Sequence, residues 1–241
     1  MQVLTIDLEL TPIKAHVWQL YGNQSIGLNQ IQDSPKLLCA AFKWHGEDTI
    51  FFDRGPAFGG TLDRIWDFID RADAVVTWNG DKFDIPHLKR EFLYAGYGPP
   101  KPFESLDLLK TSRREFLFPS NKLDYVAGQL LGANKLPHTG HQLWVDCMAG
   151  DEAAWALMEK YNRRDVWLTD QLYPIFLPWI KKHPNMRLMD GHAGCPRCGS
   201  LNLPQKRGFR TTAISKFQQY QCQDCKGWFR DTKRLDGSSA Y

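Results

Sequence analysis

The chain has 241 residues, 43% hydrophobic and 24% charged, which suits one sizeable core plus a small appendage and excludes a disordered or fibrous protein. No apolar run approaches the roughly 18 residues of a helical bilayer span, so no membrane partner is expected. The start, MQVLTIDLEL, lacks the basic and long apolar stretches of a secretory signal, and a cytoplasmic location is the expectation.

Residues 3–10 predict a first strand and residues 16–21 a second. Residues 36–44 and 48–53 predict a third and a fourth, so the opening reads as antiparallel. Leu62, Ile65, Trp66 and Ile69 then recur at helical spacing. Residues 74–78 form a short apolar strand, and residues 83–95 a helix that stops before Gly96 and the Gly-Pro-Pro break at 98–100. Leu123, Val126, Ala127, Leu130 and Leu131 make another helix face, ending at Gly132. A long helix over 152–172 is expected to be disrupted by Pro174 and Pro178. Strands first, then strands interleaved with helices, predict an α/β fold with a mixed sheet and helices on both faces.

Hydrophobic periodicity fades over residues 181–194. The predicted division is a body at 1–184, a linker at 185–194, a compact unit at 195–234 and a mobile polar tail at 235–241. Net charge is +3 overall, but it is −3 before Arg187 and +6 from Arg187 onward. A basic end on a mildly acidic body suits contact with a polyanion.

Four acids stand at particular places on these elements. Asp7 and Glu9 are two apart on the first strand and so share one face of the sheet, among apolar neighbours where like charges are costly. Asp84 follows the short strand at 74–78 through the turn Asn79-Gly80. Asp165 lies one helical turn after Tyr161, so phenol and carboxylate share a helix face. Hard divalent cations such as Mg²⁺ or Mn²⁺ favour such oxygen ligands, and a pair of them can hold and cleave a phosphodiester. A tyrosine of ordinary pKa about 10 suits positioning a water better than deprotonating it.

These stretches, DLE at 7–9, NGDKFD at 79–84 and YNRRD at 161–165, resemble the three motifs of the DEDD superfamily of 3′→5′ exonucleases. The Tyr-x-x-x-Asp spacing is that of the tyrosine subtype; the histidine subtype would carry His where Lys160 stands. WNGDKFDIPHL is similar to the second motif in exonuclease domains of family B DNA polymerases, and NKLDYVAGQLLG at 121–132 resembles the stretch between their second and third motifs. The similarity spans about residues 1–184 and resembles most the stand-alone, phage-type members, which would place the protein in a host cytoplasm.

The resemblance implies a ribonuclease H-like fold in which Asp7, Glu9, Asp84 and Asp165 hold two Mg²⁺ or Mn²⁺ ions. Tyr161 would position the attacking water. Asn79 and Phe83 would meet the 3′-terminal nucleotide, with Leu10 and Thr11 beside them. Leu10 departs from the Thr common after the Glu, and Trp78 and His87 replace usual tyrosines. The implied activity removes nucleotides from 3′ ends of single-stranded DNA, releasing 5′-monophosphates, in proofreading or repair in trans. RNA is the alternative substrate. Phosphate contacts would come from among Lys89, Arg90, Lys110, Arg113, Arg114, Arg163 and Arg164, and stacking from Trp18, Trp44 or Phe118.

Cys195, Cys198, Cys222 and Cys225 form two C-x-x-C pairs separated by 23 residues, each with a nearby Gly. That pattern predicts one structural tetrahedral Zn²⁺ and resembles a zinc ribbon, its gap filled by a hairpin. Two disulfides would use the same spacing, but an intracellular setting disfavours them. Cations and aromatics within the unit suit single-stranded nucleic acid, and docking onto a polymerase or replisome protein fits equally. A nucleic-acid adaptor with little catalysis is therefore a rival reading. Cys39 and Cys147 lie among apolar residues and are expected in the core. His138 and His141 have H-x-x-H spacing, which suits a second metal site or a loop beside the substrate channel.

Overall fold

The structure is a computed structural model that describes residues 1–19, 21, 25–191 and 194–237. Strand β1 (Val3–Leu10) is the pivot of the main sheet. Short strands β2 (Lys14–Ala15) and β3 (Ile31–Asp33) pair with each other outside that sheet. Strands β4 (Leu37–Trp44) and β5 (Phe51–Arg54) follow, then helix α1 (Asp63–Arg71), strand β6 (Ala74–Thr77) and helix α2 (Asp84–Tyr94). Strand β7 (Glu104–Asp107) leads directly into α3 (Leu108–Glu115), followed by α4 (Leu123–Leu131), α5 (His141–Met148) and the long α6 (Glu152–Phe176). Beyond α7 (Met186–Asp190) come β8 (Gln205–Thr211), β9 (Ser215–Gln221) and β10 (Trp228–Gly237).

The main sheet has the order β5-β4-β1-β6-β7. β4 runs antiparallel to both β5 and β1, while β1, β6 and β7 run parallel, so the sheet is mixed as expected. Alternation along β1 divides its side chains. Leu4, Ile6 and Leu8 enter the core under α1 and α2, with Phe42, Ile65, Phe68, Ile69 and Phe92. Val3, Thr5, Asp7 and Glu9 therefore face the other side, which α6 crosses. Each large apolar side chain buried in these layers stabilises the fold by roughly 1.5–3 kcal/mol relative to exposure.

A buried ionic group pins α6 to the sheet. Asp170 accepts hydrogen bonds from Lys43 Nζ at 2.7 Å and Thr5 Oγ1 at 3.1 Å, and meets His45 Nδ1 at 2.8 Å. Burial pushes the Asp170 carboxyl up, but His45 and Lys43 outweigh it and hold the pKa below its ordinary value.

The structure corrects several expectations. Residues 16–21 form no strand among those described; Trp18 and Tyr21 are exposed and find no sheet neighbour. Pro174 does not break α6, because it falls in the last turn, where the helix tightens into a 3-10 turn at Leu177–Trp179. The expected linker holds the short helix α7, and β10 extends to Gly237, past the anticipated start of the tail. Residues 238–241 lie outside the described residues. Among the described residues, no helix is long and apolar enough to cross a membrane.

Candidate active site and cysteine cluster

The turn after β6 is built to deliver one acid. Asn79 adopts a left-handed φ of 79°, which asparagine tolerates better than most residues, and its N–H donates to Asp107 Oδ1 at 3.0 Å. Gly80 donates its N–H to Thr77 Oγ1 at 3.1 Å, and a Cβ there would lie only 2.2 Å from that oxygen. The chain thus enters α2 with Asp84 as its first residue, 2% exposed, its Oδ1 accepting the Leu8 N–H at 3.0 Å. Burial drives the Asp84 pKa up to about 7, with the neighbouring Asp107 carboxylate adding to the rise.

Asp7 and Glu9 project from β1 opposite the small residues Ala41 and Cys39, which leave room above the sheet. α6 fills that room with Asn162, fully buried, and Asp165, 1% exposed. Asn162 Nδ2 donates to Asp7 Oδ2 at 2.7 Å. Asp7, Glu9 and Asp165 each present an oxygen, and the three oxygens lie within 4.8 Å of one another. Asp84 is not in that trio, although its charge reaches Asp7 and Glu9.

Burial and mutual repulsion raise the pKa values of these acids. Glu9 reaches about 8, chiefly by burial and then by Asp165. Asp7 rises well above its ordinary value through burial, then through Asp165 and Asp84. Asp165 is raised by burial against the opposing pull of Lys135. The Lys135 ammonium stands 2.5 Å from Asp165 Oδ2 and donates to the Tyr161 hydroxyl at 2.8 Å. Among the described residues, Asp165 Oδ1 is buried with no hydrogen-bond partner. Three crowded hard-oxygen donors, one with an unused buried oxygen, are a donor set that fits a hard divalent cation.

Beside the acids opens a cleft of about 570 Å³, lined by Asp7, Trp78, Asn79, Arg113, Lys122 and Lys135 among others. Of the cations singled out in the sequence, Arg113 alone lines it. Arg163 instead binds the Ile50 carbonyl and Glu159, Arg164 the Asn134 carbonyl, and Lys110 pairs with Asp81. Trp44 is buried against Phe68, which removes it as a stacking surface. Phe83 is 38% exposed, at the start of α2, with its ring against His87. Leu10 and Thr11 are not brought to the cleft. Register shifts after Glu9, Leu10 packs on the α1–α2 core, and the buried Thr11 hydroxyl accepts the Lys36 N–H at 2.9 Å. A larger, more apolar cavity of about 830 Å³ lies along α2 and residues 97–103, but it contains none of the four acids.

Sequence reasoning missed Lys135, Trp144, Asn162 and Asp107. Asn162 sits inside the YNRRD stretch, so its place was readable. The Trp144 indole favours the ionised form of Glu9, and its ring, like that of His138, packs on Tyr161. His138 therefore sits beside the tyrosine, and among the described residues neither His138 nor His141 belongs to a metal-ligating cluster.

The four C-terminal cysteines converge as well. Cys195 Sγ and Cys225 Sγ are 3.8 Å apart, and Cys198 Sγ and Cys222 Sγ 3.7 Å. Tetrahedral bonds of about 2.3 Å to one Zn²⁺ would separate sulfurs by about 3.8 Å, so the set fits that ion. Backbone N–H groups of Arg197 and Gly227 point at Cys195 and Cys225 sulfur, both at 3.4 Å. A Cβ at Gly227 would lie 2.6 Å from Arg197 Cδ and 3.2 Å from Cys225 Sγ, so any larger residue would have to displace the Arg197 side chain. The cluster is seated on the body: Arg197 Nη1 donates to the carbonyls of Leu177 and Ile180, and Cys198 and Cys225 pack against the α4–α6 core.

The RNase H superfamily model matches residues 26–176, and the chain belongs to that superfamily. Among curated proteins, none matches it. A solved family B DNA polymerase from the hyperthermophilic archaeon Pyrobaculum calidifontis shares the fold, with a TM-score of 0.54 at 19% identity, over 73% of this chain. This chain spans 24% of that polymerase. Superfamily and shared fold together place the chain among ribonuclease H-like proteins.

Proposed function

We propose that the protein is a 3′→5′ exonuclease that hydrolyses single-stranded DNA from its 3′ end and releases 5′-monophosphates. The observation that carries this reading is the trio Asp7, Glu9 and Asp165 with Tyr161 one turn away on α6. Asp7, Glu9, Asp84 and Asp165 would hold two Mg²⁺ or Mn²⁺ ions. When bound, such ions neutralise the phosphodiester and make water a stronger nucleophile.

The protein's own groups perform the rest. The Tyr161 phenol, its pKa raised by burial and by Asp165, stays protonated at neutral pH and holds the attacking water by hydrogen bonding. Water oxygen bonds to phosphorus as the P–O3′ bond breaks, and the departing 3′ oxygen takes a proton. Asn79, which lines the cleft, and Phe83, exposed at the start of α2, would hold the terminal nucleotide. Arg113, Lys122 and Lys135 supply the positive lining that lets a polyanion approach four carboxylates. Cys195, Cys198, Cys222 and Cys225 form a zinc ribbon with one structural Zn²⁺, giving a body at 1–184, a connecting segment at 185–194 and a ribbon from 195.

The test uses 5′-labelled single-stranded DNA and RNA of one sequence, each with Mg²⁺, Mn²⁺ or EDTA. A ladder shrinking from the 3′ end of DNA, abolished by EDTA and by Asp165→Asn, is the expected result. A ladder on RNA alone would make the enzyme an exoribonuclease with the same acids. Binding without any ladder would favour the adaptor.

A further inference from the structure

Antiparallel pairing in the C-terminal sheet sorts its side chains onto two faces, because directly opposed residues point the same way. On one face Phe229 lies opposite Tyr220, stacked at 5.6 Å, and Arg187 of α7 covers Phe229 at 5.0 Å. That face is turned toward the chain's own α7. Among the described residues, no aromatic–cation contact from outside the sheet covers the other face.

On that second face Phe217 is flanked by Arg210 on β8 and Arg234 on β10, and Gln219 by Arg230. Arg230 also lies over the Phe217 ring, with its guanidinium carbon 3.7 Å from the centroid. Trp228, opposite Gln221, completes the row and is 43% exposed. Among the described residues no carboxylate pairs with Arg210, Arg230 or Arg234, so their charge is unspent. Residues 205–237 hold eight Lys and Arg against three Asp, and the excess selects a polyanion over an acid-avoiding apolar partner.

We propose that this arginine face of β8–β9–β10 is a second binding site for single-stranded nucleic acid, separate from the cleft. Arg210, Arg230 and Arg234 contact successive phosphates. Trp228 gives bases a stacking surface, and the Arg230 guanidinium, lying over the Phe217 ring, gives a second one. Arginine suits this task, since its planar fork pairs with phosphate oxygens and its flat face stacks. Lacking a fixed groove or a ladder of base-edge donors, the face takes single strands without strong sequence preference. The inference does not rest on the exonuclease reading, because it involves none of the four acids.

The experiment measures binding of a labelled single-stranded DNA oligonucleotide to the full zinc-loaded chain, without added Mg²⁺ or Mn²⁺, across a salt series. The double variant Arg210→Ala/Arg234→Ala is expected to lose at least about tenfold in affinity. Its slope of log affinity against log salt should become shallower by about 1.4, the loss of two single-strand phosphate contacts. Trp228→Ala, at an exposed site, should cost between about fivefold and a hundredfold while leaving the salt slope alone, as expected for a lost base stack. Zinc content serves as the control for folding. If the arginine variant loses its zinc, the Trp228→Ala result decides. Native-like affinity and slope in variants that keep their zinc would overturn the inference and leave the face to a protein partner. Absent cleavage with this binding intact would sink the exonuclease reading alone.

Discussion

Asn162 on α6 donates from its amide to both the side-chain carboxylate of Asp7, at 2.7 Å, and the Asp7 backbone carbonyl, at 3.2 Å. A residue that touches no solvent thus fixes the rotamer of a half-buried, cleft-lining acid far away in sequence. We expect Asn162→Leu to keep the fold and to weaken Mg²⁺ or Mn²⁺ affinity by roughly 10–100-fold, the usual cost of losing a group that orients a ligand. Metal titration followed by calorimetry measures it; unchanged affinity would mean that the strand alone orients Asp7.

Gly80→Ala should be far more harmful than its size suggests. The new methyl would meet the Thr77 side chain at 2.2–2.5 Å, and the turn must open. We expect a loss of about 1–3 kcal/mol in urea unfolding, as for an overpacked core. Metal-dependent cleavage should fall further than stability does, because the same turn places Asp84.

The raised acids make a prediction about pH. Asp84 near 7 and Glu9 near 8 bind protons more tightly folded than unfolded, where their values are about 4. Their contribution to stability is therefore present below about pH 4 and is lost as pH rises through 7 and 8. Without added Mg²⁺ or Mn²⁺, the melting temperature should fall between about pH 5 and 8, and saturating Mg²⁺ should flatten that decline. Metal affinity should rise over the same window, since the ligands must shed protons. A melting temperature that climbed from pH 5 to 8 in metal-free protein would contradict the assignment.

Lys43→Met would leave Asp170 buried beside His45 and Thr5 without its closest cation. Removing one partner of a buried pair costs about 3–5 kcal/mol. Pairing it with Asp170→Leu should recover much of that, and a double-mutant cycle in urea would show the coupling. A loss in the double variant equal to the sum of the two single losses would show that the pair contributes nothing.

How much of this was legible beforehand depended on the distance each signal travels along the chain. β1, β4, β6 and α6 carry their own periodicity, and Asp7, Glu9, Tyr161 and Asp165 lie at fixed offsets on them, so their convergence could be anticipated. The Asn79-Gly80 turn could be read too, because backbone geometry restricts which residues fit there. Lys135 could not. It occupies an irregular stretch between α4 and α5, and its role comes from a contact with Asp165 that no local pattern encodes. Nor could β7 and α3, which meet at Asp107 with no loop between them, so that strand and helix periods blur together. Residues 16–21 misled for the opposite reason: among the described residues, that stretch pairs with no strand.

Cys39 and Cys147 are both fully buried, and burial pushes their thiols up, Cys147 to about 11. A thiol reagent attacks the thiolate, so it should pass both by while the chain is folded. Every rapidly reacting sulfhydryl then belongs to the C-terminal four. Counting them with a chromogenic disulfide turns the native chain into its own gauge of occupancy: silent when the four sulfurs are engaged, and reactive at four equivalents once a chelator frees them. The buried pair would speak only when the body itself comes apart, so one assay separates the loss of the small unit from the unfolding of the large one.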